Sequence, residues 1–116
     1  PYCTRVRGLL IDVAAAAGVP LHAGGTYGAT QGPRLETRSE IDRMESAGCD
    51  VVGMTGMPEA ALARELDLGY ASCAVIVNMA AGRGDGAVGI HEEMERYMDL
   101  GMGRVRALLE KLMTNL

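Results

Sequence analysis

Apolar residues recur at helical spacing over residues 4–17, at Val6, Leu9, Leu10, Val13, Ala14 and Ala17, and Gly18 supplies a stop, so the pattern predicts an amphipathic first helix. Residues 20–31 alternate small, apolar and polar side chains (Leu21, Ala23, Tyr27, Ala29) with glycines inserted, which predicts a strand broken by a bulge or bend. Helical spacing returns over residues 37–47, with Ile41 and Met44 inward and Glu40, Asp42, Arg43 and Glu45 on a solvated face. Residues 50–54 form a short, continuously apolar run, the mark of a strand buried on both sides in a mixed or parallel sheet. Pro58 suits the first turn of a third helix reaching about Leu68. Residues 70–80 are the longest apolar strand candidate; a glycine-rich loop over 81–88 then leads into a final helix over 89–115.

The alternation of helices and strands predicts an α/β fold, a mixed sheet flanked by helices. There is no internal repeat, low-complexity tract or linker, so residues 1–116 read as part of one domain.

Composition narrows the function classes. The 116 residues are 48% hydrophobic and 22% charged, a globular balance, and a chain of this length buries roughly 65% of its unfolded surface in one core. Without tryptophan or phenylalanine that core must come from aliphatic side chains and eight methionines, which specify geometry weakly, so completion by missing chain or a partner subunit is expected. A net charge of −4 with no basic cluster argues against a nucleic-acid surface. The three cysteines, Cys3, Cys49 and Cys73, are widely spaced and predict neither a disulfide framework nor a zinc knuckle, and a cytoplasmic location follows as the default. No apolar run reaches the ~18 residues of a membrane span. The start at Pro1, without an initiator methionine, is read as a processed end or the second part of a longer protein.

Three segments stand at or just past strand ends, where ligands sit in open α/β sheets. In Gly32-Pro33-Arg34-Leu35-Glu36-Thr37 the Glu36 carboxylate either opens a helix or accepts a hydrogen bond from a heterocycle N–H. In Met54-Thr55-Gly56-Met57-Pro58-Glu59, Thr55 either caps a helix or holds an anion, and Met54 is either core or a platform for a ligand. Asn78 ends the run Val75-Ile76-Val77, either closing a turn or presenting its amide to a ligand. His22 reads as a partly exposed strand residue; His91 is a surface histidine by default and a substrate contact if the last helix covers the site. No metal site is expected, since the histidines are far apart, and no catalytic triad, phosphate loop or dinucleotide fingerprint occurs.

In this order and spacing the three segments resemble the second half of the nucleoside phosphorylase family that includes trimeric purine nucleoside phosphorylase and methylthioadenosine phosphorylase. The likeness covers residues 20–116, and the first helix loosely. It implies that Glu36 meets the N1 edge of a purine, with Leu35 where an aromatic often packs on the base. Met54 falls under the ribose with Val52 nearby, Thr55 on phosphate, and Asn78 on N7 and the substituent at C6. Adenine-specific relatives place aspartates at the positions of Asn78 and Ala80. A 6-oxo group is an acceptor that an amide N–H satisfies, whereas a 6-amino group prefers a carboxylate, so these two residues favour a 6-oxopurine.

The implied reaction is phosphorolysis of a 6-oxopurine nucleoside, S-methyl-5′-thioinosine foremost, to hypoxanthine and 5-methylthioribose 1-phosphate. Phosphate is then a co-substrate and no cofactor is needed. Asn78 would stabilise the leaving purine, while His91 and Met94 select the 5′ group, the histidine suiting a hydroxyl and the methionine a thioether. Two rivals are a phosphorylase acting on inosine or guanosine and a nucleoside-binding fragment without chemistry. The family's phosphate loop, arginine and histidine lie in its first half, so the chain is expected to need a missing amino-terminal half and to form a homotrimer or larger homo-oligomer, with neither nucleic acid nor membrane as partner.

Overall fold

A computed structural model describes residues 1–86 and 89–114. The elements are α1 (Thr4–Ala16), β1 (Tyr27–Ala29), α2 (Arg38–Ser46), β2 (Val51–Gly53), α3 (Glu59–Glu65) and α4 (Ile90–Met113). The four expected helices are present within a few residues of their expected bounds. Residue 115, the expected end of the last helix, and residues 87–88 of the expected loop lie outside the described residues.

The strands differ more. β1 and β2 run parallel, with Tyr27 opposite Val51, Gly28 opposite Val52 and Ala29 opposite Gly53. This two-stranded sheet is the only one among the described residues, so no antiparallel pairing makes it mixed. Of the strand expected over 20–31 only three residues join the ladder, and the run 70–80 joins none. A ladder needs a neighbour as well as a suitable sequence, and the described chain brings no strand alongside these residues. With only one neighbour each, Val51 and Val52 stay half-buried rather than buried on both faces.

Packing is correspondingly thin. Val13 and Ala14 of α1 meet Leu108 of α4, with Leu10, Val19 and Leu112 around them, while Ile41, Ala60 and Ala63 are the other buried apolar side chains described. The accessible surface is 8442 Å². A compact monomer of 12.2 kDa would expose about 6,100 Å². The radius of gyration, 15.4 Å, likewise exceeds the ~13.4 Å of a compact domain of this length.

Local chemistry nonetheless fixes the elements around the strand ends. Thr37 and Glu40 form a reciprocal capping box at the start of α2: the Glu40 carboxylate accepts from Thr37 N at 2.7 Å, and Thr37 Oγ1 accepts from Glu40 N at 3.3 Å. Arg34 clamps the same carboxylate through both guanidinium nitrogens at 2.8 and 2.7 Å. The Arg34 hydrogen bonds, with those from the Thr37 backbone and side chain, hold the Glu40 carboxyl far below the usual carboxylate range. Arg83 pairs with Asp42 at 2.9 Å and with Glu45, tying the segment after residue 80 to α2. Near the amino terminus Tyr2 stacks on Tyr70 with centroids 6.0 Å apart, and Tyr70 donates to Glu59 of α3 at 2.8 Å.

Candidate functional site

The carboxyl ends of β1 and β2 gather most of the expected residues. Thr30, one residue past β1, donates from its N–H to the Gly53 carbonyl at 2.9 Å and from Oγ1 to Glu36 Oε1 at 2.6 Å. Glu36 therefore does not open α2; that position belongs to Glu40, and the Glu36 carboxylate is aimed by a hydroxyl at the sheet end. Beside it Gly32 adopts φ +64°, a left-handed conformation that favours glycine, and a Cβ there would lie 2.6 Å from Met54 Sδ. The thioether thus sits directly against the Gly32 backbone. Leu35 is 54% exposed, an uncovered apolar side chain next to the carboxylate. Val52 lies in the middle of β2.

Tyr27, which the alternation pattern marked only as a strand position, organises the turn after β2. Its hydroxyl accepts from Thr55 N at 3.3 Å and from Gly56 N at 3.4 Å, and occupies the space a Cβ on Gly53 would need. Burial pushes the phenol up, but hydrogen bonds from the Thr55 side chain and from the Thr55 and Gly56 backbone together outweigh it and leave the phenol below its ordinary value. Thr55 is not a helix cap, since α3 is preceded by Pro58 and has no side-chain cap. Nor is its turn an open set of N–H groups, because two of them already bond a phenol oxygen.

Asn78 is half-buried and its Nδ2 donates to the Met79 carbonyl at 2.8 Å, closing a bend. His91 is exposed in the first turn of α4 and Met94 is half-buried one turn later. The packing of α4 runs to α1, and Val75 seats against Gly101. Among the described residues no hydrogen bond joins His91 or Met94 to Glu36, Met54 or Thr55, so the structure brings together the first two segments and leaves α4 outside that group. His22 is exposed. Among the described residues no group of three or more His, Cys, Asp or Glu side chains is placed to hold a metal, and no helix is long and apolar enough to cross a membrane.

The supporting roles of Tyr27, Thr30 and Arg34 escaped the sequence reading, and only one of them left a local signal. Thr37-x-x-Glu40 is a capping-box spacing that marks Glu40, and so its partner Arg34, whereas Tyr27 and Thr30 act on residues 28 and 6 positions away that only the fold brings near. A cleft of about 1030 Å³ lies among α1, α4 and the extended runs before β1 and after residue 70, reaching Tyr27 and Val51 at the starts of the two strands, and none of the expected site residues lines it.

Comparison with known proteins shows the family to which the chain belongs. The family described as the Phosphorylase superfamily matches residues 1–114. The "Probable S-methyl-5'-thioinosine phosphorylase" of Pseudomonas syringae is 49% identical over 114 residues, a match that covers 98% of this chain and 46% of that protein. The 6-oxopurine nucleoside phosphorylase of Pyrococcus furiosus is 52% identical over 82 residues, covering 71% of this chain and 31% of that one. Among solved structures, a double mutant of adenosine/methylthioadenosine phosphorylase from Schistosoma mansoni in complex with adenine superposes with a TM-score of 0.89 at 27% identity, over 97% of this chain and 45% of its own. The chain thus spans less than half the length of each of these relatives. With a match from residue 1 to residue 114 and the shared α/β fold, the chain belongs to the phosphorylase superfamily.

Proposed function

We propose that the chain is the carboxy-terminal half of an enzyme that cleaves S-methyl-5′-thioinosine with phosphate, giving hypoxanthine and 5-methylthioribose 1-phosphate. The observation that carries this reading is the strand-end cluster: a carboxylate aimed by Thr30, a thioether held against Gly32, and a hydroxyl-bearing turn bolted to Tyr27, all within one small region. These are the polar, apolar and hydroxyl contacts that a purine, a ribose and a phosphate require. The likeness to the Pseudomonas protein supports the methylthio substrate.

Breaking the N-glycosidic bond leaves positive charge on the sugar and negative charge on the departing purine, so donors whose bonds strengthen on that purine lower the barrier. In this reading Glu36 orients the base with Leu35 beside it, and Met54 and Val52 support the sugar. Thr55 meets phosphate through its hydroxyl, and Asn78 donates to N7 and the 6-oxo group. The Asn78 amide now bonds the Met79 carbonyl, so base binding exchanges one hydrogen bond for another. His91 and Met94 select the 5′ group once α4 and the completed site meet. We assign the assembled enzyme to the cytoplasm as a homotrimer or larger homo-oligomer.

The likeness to the Pyrococcus protein favours a second reading, a 5′-hydroxyl nucleoside such as inosine or guanosine. Phosphate-dependent release of base from S-methyl-5′-thioinosine, inosine and methylthioadenosine by the completed polypeptide tests both. The expected order of kcat/KM is the order just written; inosine first selects the second reading, methylthioadenosine first removes the assignment of Asn78 and Ala80 to a 6-oxopurine, and no turnover leaves a nucleoside-binding fragment.

A further inference from the structure

In the proposed reaction Glu36 and Asn78 both meet the base, yet they stand on distant parts of the chain. Glu36 immediately precedes Thr37, the cap of α2. Asn78 closes a bend, and a turn follows in which the Arg83 N–H donates to the Ala80 carbonyl at 2.9 Å. That turn lies along α2. The Gly82 backbone, at φ +75°, rests on the stem of Arg38, so close that a Cβ would stand 2.8 Å from Arg38 Cγ. Arg83 then forks: Nη1 meets Asp42 Oδ1 at 2.9 Å and Nη2 meets Glu45. Asp42 and Glu45 are three residues apart and share one face of the helix, the face that the sequence pattern marks as solvated. The structure gives that face an occupant, and the Arg83 side chain is only 25% exposed there. An isolated exposed ion pair is worth little, but a planar guanidinium held by two carboxylates and backed by a closed turn has a fixed geometry.

We propose that Arg83 is a positioning residue for Asn78: by clamping the turn after residue 80 to α2 it fixes the Asn78 amide relative to Glu36. The Glu36 segment is fixed to the first turn of the same helix by the Thr37 cap and the Arg34–Glu40 pair. One helix thereby gauges the separation of two contacts that approach the purine from different edges. The hydrogen bond that Asn78 makes by itself reaches only the next residue, so that bond travels with the bend and cannot place the amide against the rest of the site. Arg83 supplies the long-range restraint, spanning 41 positions of sequence to Asp42 and 38 to Glu45. Placement matters because a donor lowers the barrier only where it already points at the atom on which charge develops. The inference rests on the proposed function, in which Asn78 donates to the departing base, and its test has one readout that does not depend on turnover.

The test combines steady-state kinetics of the completed polypeptide on S-methyl-5′-thioinosine and methylthioadenosine with amide hydrogen exchange. Arg83→Ala should lower kcat on the 6-oxopurine nucleoside by about tenfold or more and leave phosphate KM unchanged, with a smaller loss on the 6-aminopurine nucleoside. Asp42→Asn combined with Glu45→Gln should reproduce that loss, and Arg83→Lys, which keeps the charge without the planar fork, should recover part of it. In an Asn78→Ala background Arg83→Ala should cost no more than about twofold further, because the amide it places is gone. Exchange over residues 79–83 should quicken by about tenfold in Arg83→Ala while α1 exchanges as before, and circular dichroism shows whether the helices are retained. The proposal is overturned by an unchanged kcat, by equal losses on the two nucleosides, by a full additional loss in the Asn78→Ala background, or by unchanged exchange over 79–83. If the unaltered polypeptide turns over neither nucleoside, the proposed function fails by itself. Exchange over 79–83 then decides alone whether Arg83 holds the turn that bears Asn78.

Discussion

β2 and the run 70–80 carry the same local signal, largely apolar residues of strand character, and the run is the longer of the two. Only β2 pairs. Val51, Val52 and Gly53 find β1 alongside them, whereas the run 70–80 finds no strand among the described residues. The difference teaches that an apolar run reports the burial a segment has in the finished fold, while a ladder reports which neighbours are present. The same contrast separates the two halves of the candidate site. Glu36, Met54 and Thr55 sit at the paired strand ends and are held by named contacts; Asn78 follows the unpaired run and donates to its neighbour's carbonyl.

The largest expected effect probes the unpaired side. In the completed enzyme, Asn78→Asp with Ala80→Asp should lower kcat/KM for the 6-oxopurine nucleoside by roughly 2 to 4 kcal/mol of transition-state stabilisation, the scale of one lost oxyanion-type donor. Activity on the 6-aminopurine nucleoside should fall less or rise. A ratio of the two that does not move toward adenine would show that Asn78 only closes its bend.

On the paired side, Thr30→Val removes the hydroxyl that aims Glu36 while keeping side-chain volume. Nucleoside KM should rise about tenfold or more, the effect of losing the ~1.5 kcal/mol at the lower end of the range for a hydrogen bond to a charged group, with phosphate KM unchanged. If phosphate KM moves equally, the two strand ends are one rigid unit and the comparison sharpens to sheet against run. Tyr27→Phe frees the Thr55 and Gly56 N–H groups from their phenol acceptor. It should cost about 1 kcal/mol of stability in urea unfolding and alter phosphate KM more than nucleoside KM, whereas unaltered phosphate KM would place phosphate away from this turn.

Smaller effects test whether α2 is anchored by its own sequence. Thr37→Ala should destabilise the fold by about 1 kcal/mol through loss of the cap, read as a lowered thermal midpoint. Glu40 adds a pH dependence whose sign follows from its depressed folded pKa. Its contribution is fully present above the ordinary carboxylate value of 4.5 and is lost as pH falls below that value toward the folded one. Arg34→Ala should flatten that acid-side loss, so an unchanged slope in acid titration would mean that the backbone and hydroxyl of Thr37 suffice.

The helices were legible because their 3.6-residue periodicity is internal to each segment, and α1 with Val13 and Ala14 inward follows the pattern read from the chain. Ile41 is buried as expected, and the Thr37-x-x-Glu40 spacing marks where α2 starts. The motifs bearing Glu36, Met54 and Thr55 were legible as family segments. Their supports were not, since Thr30 reaches Glu36 across a turn and Tyr27 reaches Thr55 from another strand. Ladder formation over 20–26 and 70–80 was overread for a related reason: alternation and apolarity say nothing about whether a neighbour is supplied.

Tyr27 also has a mechanical meaning. It belongs to β1 through its register with Val51, yet its hydroxyl grips the turn that follows β2. The ring is therefore a strut of fixed length between the two strands, and Thr55 and Gly56 are hinged to β1 as much as to their own strand. A change in the twist of the sheet would be carried by that strut to the turn, so the place of the Thr55–Gly56 backbone is set by a phenol ring on the neighbouring strand as well as by the loop itself.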